Sequence, residues 1–457
     1  MFDPSPQIKF PTNGMLRSKQ EYIERCLLIA DTLLAHYGSA DGIASQEAEI
    51  NCYPNLAYLK EPKGISVVGA NGKARRKRAV ACVLEGKLFS EHAVAGEATR
   101  LGLGTKFLLN IGRDLSLGKI AELMTNETGK RVTPEEVEEA AGSRPEFLLP
   151  LSLGERHMLQ FSWDIHKLAE ENGADPKEVL KKQKMLIVLN QKSAGTITQG
   201  FIDSNFYGFS PENVLFMVQD SFHGITIKGG CAVYDRTTPK RLHNHGQIAL
   251  QQTMDHQIFR VSPSGGKEFL SAEDYAEILA SMDDKVTYSI EDLSFLSQSI
   301  DLDALGFALE EGEKGARMVM EIVANDPKNP QKGGMAAYDQ VLGRNVMIEG
   351  FQLKDIDNKD IVFLNKNFNH YPNPIDSWTE VAQIGLNMPV TMKKGHLYFQ
   401  PVQGDINFLV KTSFFSREHR RVIKALKSGV NLPLAVRKMG GQDLQTEWER
   451  YASKIIQ

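Results

Sequence analysis

Apolar residues recur three or four apart over residues 20–37, at Tyr22, Ile23, Cys26, Leu27, Ile29, Ala30, Leu33 and Leu34, which predicts a helix with one buried face. Residues 52–72, with two prolines and three glycines, read as loop and short extended pieces. From residue 86 the texture changes to short apolar runs separated by helical spacing. Met185-Leu-Ile-Val-Leu189 and Asn213-Val-Leu-Phe-Met-Val218 are continuous and too short for buried helices, so they predict strands covered on both faces. Residues 196–209 between them have helical spacing and end near Gly208, with Pro211 beyond, which makes a βαβ unit with parallel strands. An earlier strand is predicted over 87–94 and a charged helical insertion over 112–145, where Thr133 is the expected N-cap and Pro134 opens the first turn. Ser271 should cap a helix running to about residue 284, followed by an alternating strand over 285–290. Near the end, 395–399 is strand-like and 416–427 is a basic helical stretch. The expected architecture is an open α/β sheet whose ligands gather beyond the carboxyl ends of the strands. A helical lead-in (1–85) precedes the α/β body (86–385), and a small C-terminal region (386–457) follows it.

Composition narrows the partners. The 457 residues carry 53 Lys+Arg against 57 Asp+Glu, a net charge of −4, so no general basic face for nucleic acid is expected. Lys73-Ala-Arg-Arg-Lys-Arg78 is the one dense basic run, and reads either as a phosphate contact or as a solvated surface. The four cysteines, Cys26, Cys52, Cys82 and Cys231, lack CxxC spacing and read as free thiols of a reducing compartment. No signal-peptide layout opens the chain and no apolar stretch approaches the ~18–20 residues of a membrane span. The expectation is a cytoplasmic protein without a membrane partner.

Candidate chemistry begins after the first predicted strand. Ala93-Val-Ala-Gly-Glu-Ala-Thr-Arg-Leu-Gly102-Leu-Gly-Thr-Lys106 is a glycine-containing turn with two cations, where backbone N–H groups and side chains can meet phosphates. It is not a P-loop, since no Gly-Lys-[Ser/Thr] closes it, and it lacks Gly-x-Gly-x-x-Gly. Gln219 ends a buried strand and either reads a base edge or serves as a strand-end hydrogen-bonding residue. Glu291, Asp292 and Asp301 follow strand-like segments and offer oxygen ligands of the kind Mg2+ takes, or form solvated turns. His243, His245, Asp255 and His256 suggest a metal cluster by composition, but their spacing matches no zinc pattern and reads as a turn with a following helix.

These segments resemble the UDP-sugar pyrophosphorylase family. Its glycine loop, Leu-Ala-Gly-Gly-x-Gly-Thr-Arg-Leu-Gly followed by Pro-Lys, is similar to the turn that keeps Gly96, Thr99, Arg100, Leu101, Gly102 and Lys106. In family order come Leu189-Asn-Gln-Lys-Ser-Ala-Gly-Thr, Phe206-Tyr-Gly-Phe209, Val214-Leu-Phe-Met-Val-Gln219 and His243-Asn-His-Gly246. Ile290-Glu-Asp-Leu293, Ile300-Asp-Leu-Asp-Ala-Leu-Gly-Phe307, Met318-Val-Met-Glu-Ile322, Gln331-Lys-Gly-Gly334, Val346-Met-Ile-Glu349 and Phe363-Leu-Asn-Lys-Asn367 continue the series. The resemblance implies a Rossmann-like, GT-A-like mixed sheet flanked by helices, and a uridylyltransferase joining UTP, or another nucleoside triphosphate, to a sugar 1-phosphate with Mg2+. It implies phosphate contacts for Arg100 and Lys106, and a nucleotide site of Gly96, Glu97, Thr99, Gln219, His245 and Gly246. Gly333, Glu349 and Asn365 would hold the sugar phosphate, with Asn365 and Asn367 either bonding sugar hydroxyls or stabilising a turn, and Asp292 and Asp301 would hold the metal.

The chain also departs from the pattern. Ala95 and Ala98 stand at two loop glycines and Thr105 at the proline. A Cβ where φ > 0 is required costs on the order of 1 kcal/mol. The family's Asp-Asn metal pair is Glu291-Asp292, and Lys393, Lys394 and His396 give no clear counterpart of its late lysine. Two alternatives follow: a glycosyltransferase on a similar scaffold, and a non-catalytic nucleotide-binding protein.

Overall fold

The computed structural model describes residues 16–453 apart from 70–71, 98–101, 297, 328–329, 418–425, 427, 441–446 and 448. Arg100, Thr99 and Ala98, and most of the basic stretch 416–427, therefore lie outside the described residues; Ser416 and Arg417, at its start, are in a strand.

In chain order the principal strands are β1 (Ser66–Val68), β2 (Leu88–Ala93), β3 (Lys184–Leu189), β4 (Val214–Val218), β5 (Ile225–Lys228) and β6 (Cys231–Tyr234). They continue with β7 (Ile258–Val261), β8 (Lys267–Phe269), β9 (Asp284–Ser289), β10 (Met318–Ala324), β11 (Met335–Asp339) and β12 (Arg344–Ile348). The last are β13 (Phe363–Pro372), β14 (Val390–Lys393), β15 (His396–Phe399) and β16 (Thr412–Arg417). Among the described residues a mixed 13-stranded sheet has the path β8-β7-β4-β3-β2-β9-β13-β10-β16-β1, with the hairpin β11/β12 attached beside it and the two-residue strand Leu59–Lys60 paired with β11. β9, β2, β3 and β4 are parallel neighbours, as the apolar runs predict, because strands buried on both faces need no alternation. β13 runs antiparallel between β9 and β10, which makes the sheet mixed.

The helix between β3 and β4 spans Ala194–Asp203, shorter than its spacing suggests, and the chain then passes through left-handed Asn205, Phe206 and Tyr207 before Gly208. Thr133 and Ser271 cap their helices as expected, each in a reciprocal capping box, with Glu136 and Asp274.

The flanking segments complete the sheets. α1 (Lys19–Tyr37) buries Tyr22, Cys26, Ile29, Ala30, Leu33 and Leu34, and its core includes residues from the small sheet β14-β15-β5-β6. β1 pairs with β16, and β16 with β10, so the central sheet runs without a break across residues 85/86 and 385/386. The basic run opens α2 (Lys73–Leu84), where Arg75 and Arg78 pair with Glu310 and Glu313 and Arg76 lies 3.8 Å from Asp303. All three acids belong to a single helix, Leu302–Glu313, so the run forms an ion-paired surface. The insertion forms α3 (Leu117–Thr128) and α4 (Pro134–Ala141), which share a separate core with Leu293, Leu296 and the helix Leu432–Met439. Among the described residues no helix is long and apolar enough to cross a membrane.

Candidate active site

Parallel strands point their carboxyl ends the same way, so the segments following β2, β3, β4 and β9 emerge at one sheet edge, where an open α/β sheet binds its ligands. Antiparallel β13 begins at that edge and parallel β16 ends there. After β2, the loop closes on itself: the Lys106 N–H donates to Gly96 O at 3.1 Å, and Glu97 bridges Thr105. Asn190, just beyond β3, donates from Nδ2 to Ala95 O at 2.9 Å. Gly102 and Gly104 have φ of 67° and 73°, the left-handed region that glycine adopts without penalty. Ala95 has no positive φ, so the backbone strain expected of an alanine at that glycine does not arise.

A cavity of about 820 Å³ opens here, with Glu97, Gln219, Lys240, Arg241, Lys393 and Tyr398 among its lining residues. The buried Gln219 receives its register from its own N–H, which donates to Leu189 O at 2.8 Å. Its Nε2 donates to Asn244 O at 3.0 Å, so its Oε1 is the atom available to accept a hydrogen bond from a ligand.

Three ion-paired centres involve the segments that end or begin at this edge. Lys106 is buried, and its Nζ contacts Glu291 Oε2 at 2.5 Å. Lys366, also buried, pairs with Asp292, whose other oxygen accepts from the Ser294 N–H at 2.9 Å and from Ser294 Oγ at 2.7 Å. Burial alone would raise the Asp292 carboxyl, but Lys366 and the Ser294 donors outweigh it and hold the group below its ordinary range. Arg417 joins Asp301 at 2.5 Å and Glu321 at 3.1 Å.

Neither family models nor curated proteins give a match, so comparison rests on solved structures. A uridine diphosphate N-acetylglucosamine pyrophosphorylase from Trypanosoma brucei, solved with an inhibitor, superposes with a TM-score of 0.53 at 12% identity, over 90% of this chain and 79% of that one. A UDP-glucose phosphorylase from the same organism gives 0.55 at 14% identity, over 91% and 75%. A point mutant of UDP-glucose pyrophosphorylase from Leishmania major, in complex with UDP-glucose, gives 0.53 at 13% identity, over 87% and 75%. The chain has the fold of the UDP-sugar pyrophosphorylases.

On this pyrophosphorylase fold, several of the predicted residues come together. Gly96, Glu97 and Lys106 share the loop after β2, and Glu97 and Gln219 face the same cavity. Gly333, Glu349 and Asn365 meet at the base of the hairpin β11/β12. There the Asn365 N–H donates to Gly334 O at 2.9 Å, and a Cβ on Gly350 would lie 2.9 Å from Gly333 O. Beside Glu349, burial first and the Glu349 charge second push the Asp405 carboxyl well above its ordinary value.

Other predicted residues have jobs in the scaffold. The Gly246 N–H is spent on Pro401 O at 2.9 Å, and a Cβ there would come within 2.4 Å of the Pro401 backbone, so close packing explains this glycine. His245 Nδ1 accepts from the Gln403 N–H at 3.0 Å, tying the turn to the same segment. His243 is buried, with Tyr22 Oη 2.8 Å from its Nδ1. His396, weighed for the late lysine, lies 2.9 Å from Thr226 Oγ1 in the small sheet, whereas Lys393 lines the cavity.

The carboxylates do not fit a resident Mg2+. Asp292 is neutralised by Lys366 and Glu291 by Lys106. Asp301 caps the helix Leu302–Glu313, accepting from the Ala304 N–H at 3.0 Å while Arg417 grips both its oxygens. Among the described residues no three His, Cys, Asp or Glu side chains are grouped to hold a metal. The expected ligand pair is thus an ion-paired aspartate and a helix cap.

Sequence reasoning missed Asn190 and Lys366 as individual residues, although both lie in segments that carry the resemblance. It also missed Arg417, placed in a helical stretch but found on β16.

Proposed function

We propose that the protein is a nucleotidyltransferase that joins UTP to a sugar 1-phosphate, giving a UDP-sugar and pyrophosphate. What carries this reading is one cavity at the carboxyl end of the parallel strands that Glu97, from the loop after β2, lines together with Gln219, whose Oε1 is available to accept. The same fold occurs in a structure holding UDP-glucose.

The reaction needs no covalent intermediate. An oxygen of the sugar 1-phosphate attacks the α-phosphorus in line, the bond to the bridging oxygen of the β-phosphate breaks, and pyrophosphate leaves with that electron pair. The protein's part is positioning and charge neutralisation. Lys106 faces the β- and γ-phosphates by exchanging Glu291 for phosphate oxygens, and Arg100 joins it by its place in the loop motif. Gln219 accepts from the N3–H of uracil, and Asn365 and Glu349 orient the sugar. A glycosyltransferase has no use for a triphosphate clamp, so the Lys106 loop disfavours that alternative.

The test is to incubate the chain with Mg2+, UTP and a panel of hexose and N-acetylhexosamine 1-phosphates and to follow pyrophosphate release. Release with at least one sugar is expected, and Arg100→Ala should lower it about a hundredfold. Nucleotide binding without pyrophosphate release across the whole panel would overturn the reading in favour of a non-catalytic binder.

A further inference from the structure

Lys366 is the group at this edge that packing explains least. Its side chain is 2% exposed and the Asp292 side chain 11%. Burying a charge pair is seldom the cheapest way to fill space, since apolar residues of similar volume are often as stable or more so. The backbone is also distorted at this point. Across β10 and β13 the paired residues are Met320↔Asn369 and Ile322↔Asn365, so two steps along β10 match four along β13. Three residues, Lys366, Asn367 and Phe368, thus stand opposite the single Glu321. Bulges of this kind re-aim side chains and are over-represented next to active sites.

The chain brings the two lysines into register from opposite sides. Glu291 and Asp292 are consecutive in the turn after β9; the first holds Lys106 of the nucleotide loop and the second Lys366, neighbour of Asn365 in the sugar-phosphate cluster. Two ammonium groups are thus held by adjacent carboxylates, one on the triphosphate side and one on the sugar-phosphate side.

We propose that Lys366 is a further catalytic lysine: its ammonium, held by Asp292, binds the reacting phosphates in the position that the resemblance assigns to a carboxylate-bound Mg2+. This rests on the transferase reading above. Lys366 donates hydrogen bonds to the non-bridging oxygens of the α-phosphate and the incoming sugar phosphate while the new O–P bond forms and the bond to pyrophosphate breaks; no proton changes hands. Asp292 is a positioning residue, fixing the rotamer of the lysine through its ion pair.

The experiment compares the unmodified chain with Lys366→Met, Asp292→Asn and the double variant. The double variant removes both charges together and so guards against a buried unpaired carboxylate unfolding the protein. Turnover should fall about a hundredfold in Lys366→Met with little change in the KM for UTP, and the double variant should be no slower than Lys366→Met within about threefold. The Mg2+ concentration giving half-maximal rate should stay the same in Asp292→Asn, which a resident metal on Asp292 would not allow. A second readout needs no turnover: in EDTA, calorimetric binding of UDP, whose two phosphates stand for the α-phosphate and the incoming sugar phosphate, should weaken at least about tenfold in the double variant. The proposal is overturned if the double variant keeps both turnover and UDP binding within about threefold, or if Asp292→Asn raises the Mg2+ requirement about tenfold. If the unmodified chain makes no UDP-sugar but the difference in UDP binding holds, the transferase reading fails and Lys366 stands as a phosphate ligand.

Discussion

Replacing Lys106 by methionine separates what this residue does for the fold from what it does for phosphate. Its side chain is 7% exposed and that of its partner Glu291 is 21% exposed, so the variant leaves a carboxylate mostly out of water without a counter-charge. Breaking a fully buried pair from one side costs ~3–5 kcal/mol; with a fifth of Glu291 still hydrated, a loss of about 2 kcal/mol is expected. Removing the second charge as well, in Lys106→Met/Glu291→Gln, should recover most of that loss. Activity should behave differently. A charged donor aimed at phosphate oxygens during transfer is worth ~3 kcal/mol, or roughly a hundredfold or more in turnover, and the double variant cannot restore it. Urea unfolding gives the stabilities and pyrophosphate release the rates. If the double variant recovers turnover along with stability, Lys106 serves only to neutralise Glu291, and the phosphate role assigned to it is wrong.

Gln219→Leu removes the accepting Oε1 and the donor to Asn244, and should lower kcat/KM for UTP about tenfold or more while narrowing the preference for UTP over CTP; a preserved preference would remove Gln219 from base recognition. Gly246→Ala forces a Cβ against the Pro401 backbone and should cost about 1–3 kcal/mol in urea unfolding, with normal stability contradicting the packing role. Acid should weaken the fold through buried histidines, because burial pushes His157 down to about 4 and His243 down to about 3. Below pH ~6.5 the unfolded chain takes up protons that these native histidines refuse, so stability falls as pH drops, by about 2 kcal/mol per histidine at pH 5. Asp405, pushed up by burial, contributes with the opposite sign over the same range, so the check is a difference between proteins: the change in thermal midpoint from pH 7 to pH 5 should be less unfavourable in His243→Gln than in the unmodified chain, and an identical change would mean that His243 contributes nothing to it.

What could be read from the sequence was mostly local. Strands β3 and β4 announced themselves because burial on both faces leaves a continuous apolar run, and the caps at Thr133 and Ser271 because a side-chain oxygen three residues before an acid satisfies orphan N–H groups. Asp301 shows the opposite case. An aspartate just before a helix is as good an N-cap as it is a metal ligand, and the resemblance tipped the reading toward metal while the structure gives the cap. Lys366 and Arg417 were hidden for a non-local reason. The bulge that turns Lys366 toward Asp292 exists only in the register of β13 against β10, and Arg417 lies on a strand whose partners are about 95 and 350 residues earlier in the chain.

The pairing of β1 with β16 also bears on how the chain must be made. β10 acquires its outer neighbour only when residues 412–417 have been synthesised, and β1, among the first ordered segments to emerge, waits for the same event. Until then β10, with Met318, Val319, Met320, Ile322 and Val323 all destined for burial, presents a bare apolar edge of the kind that recruits other chains. A nascent chain stalled before residue 412, or a product truncated there, is therefore expected to aggregate even though nearly every residue of the proposed site is already present.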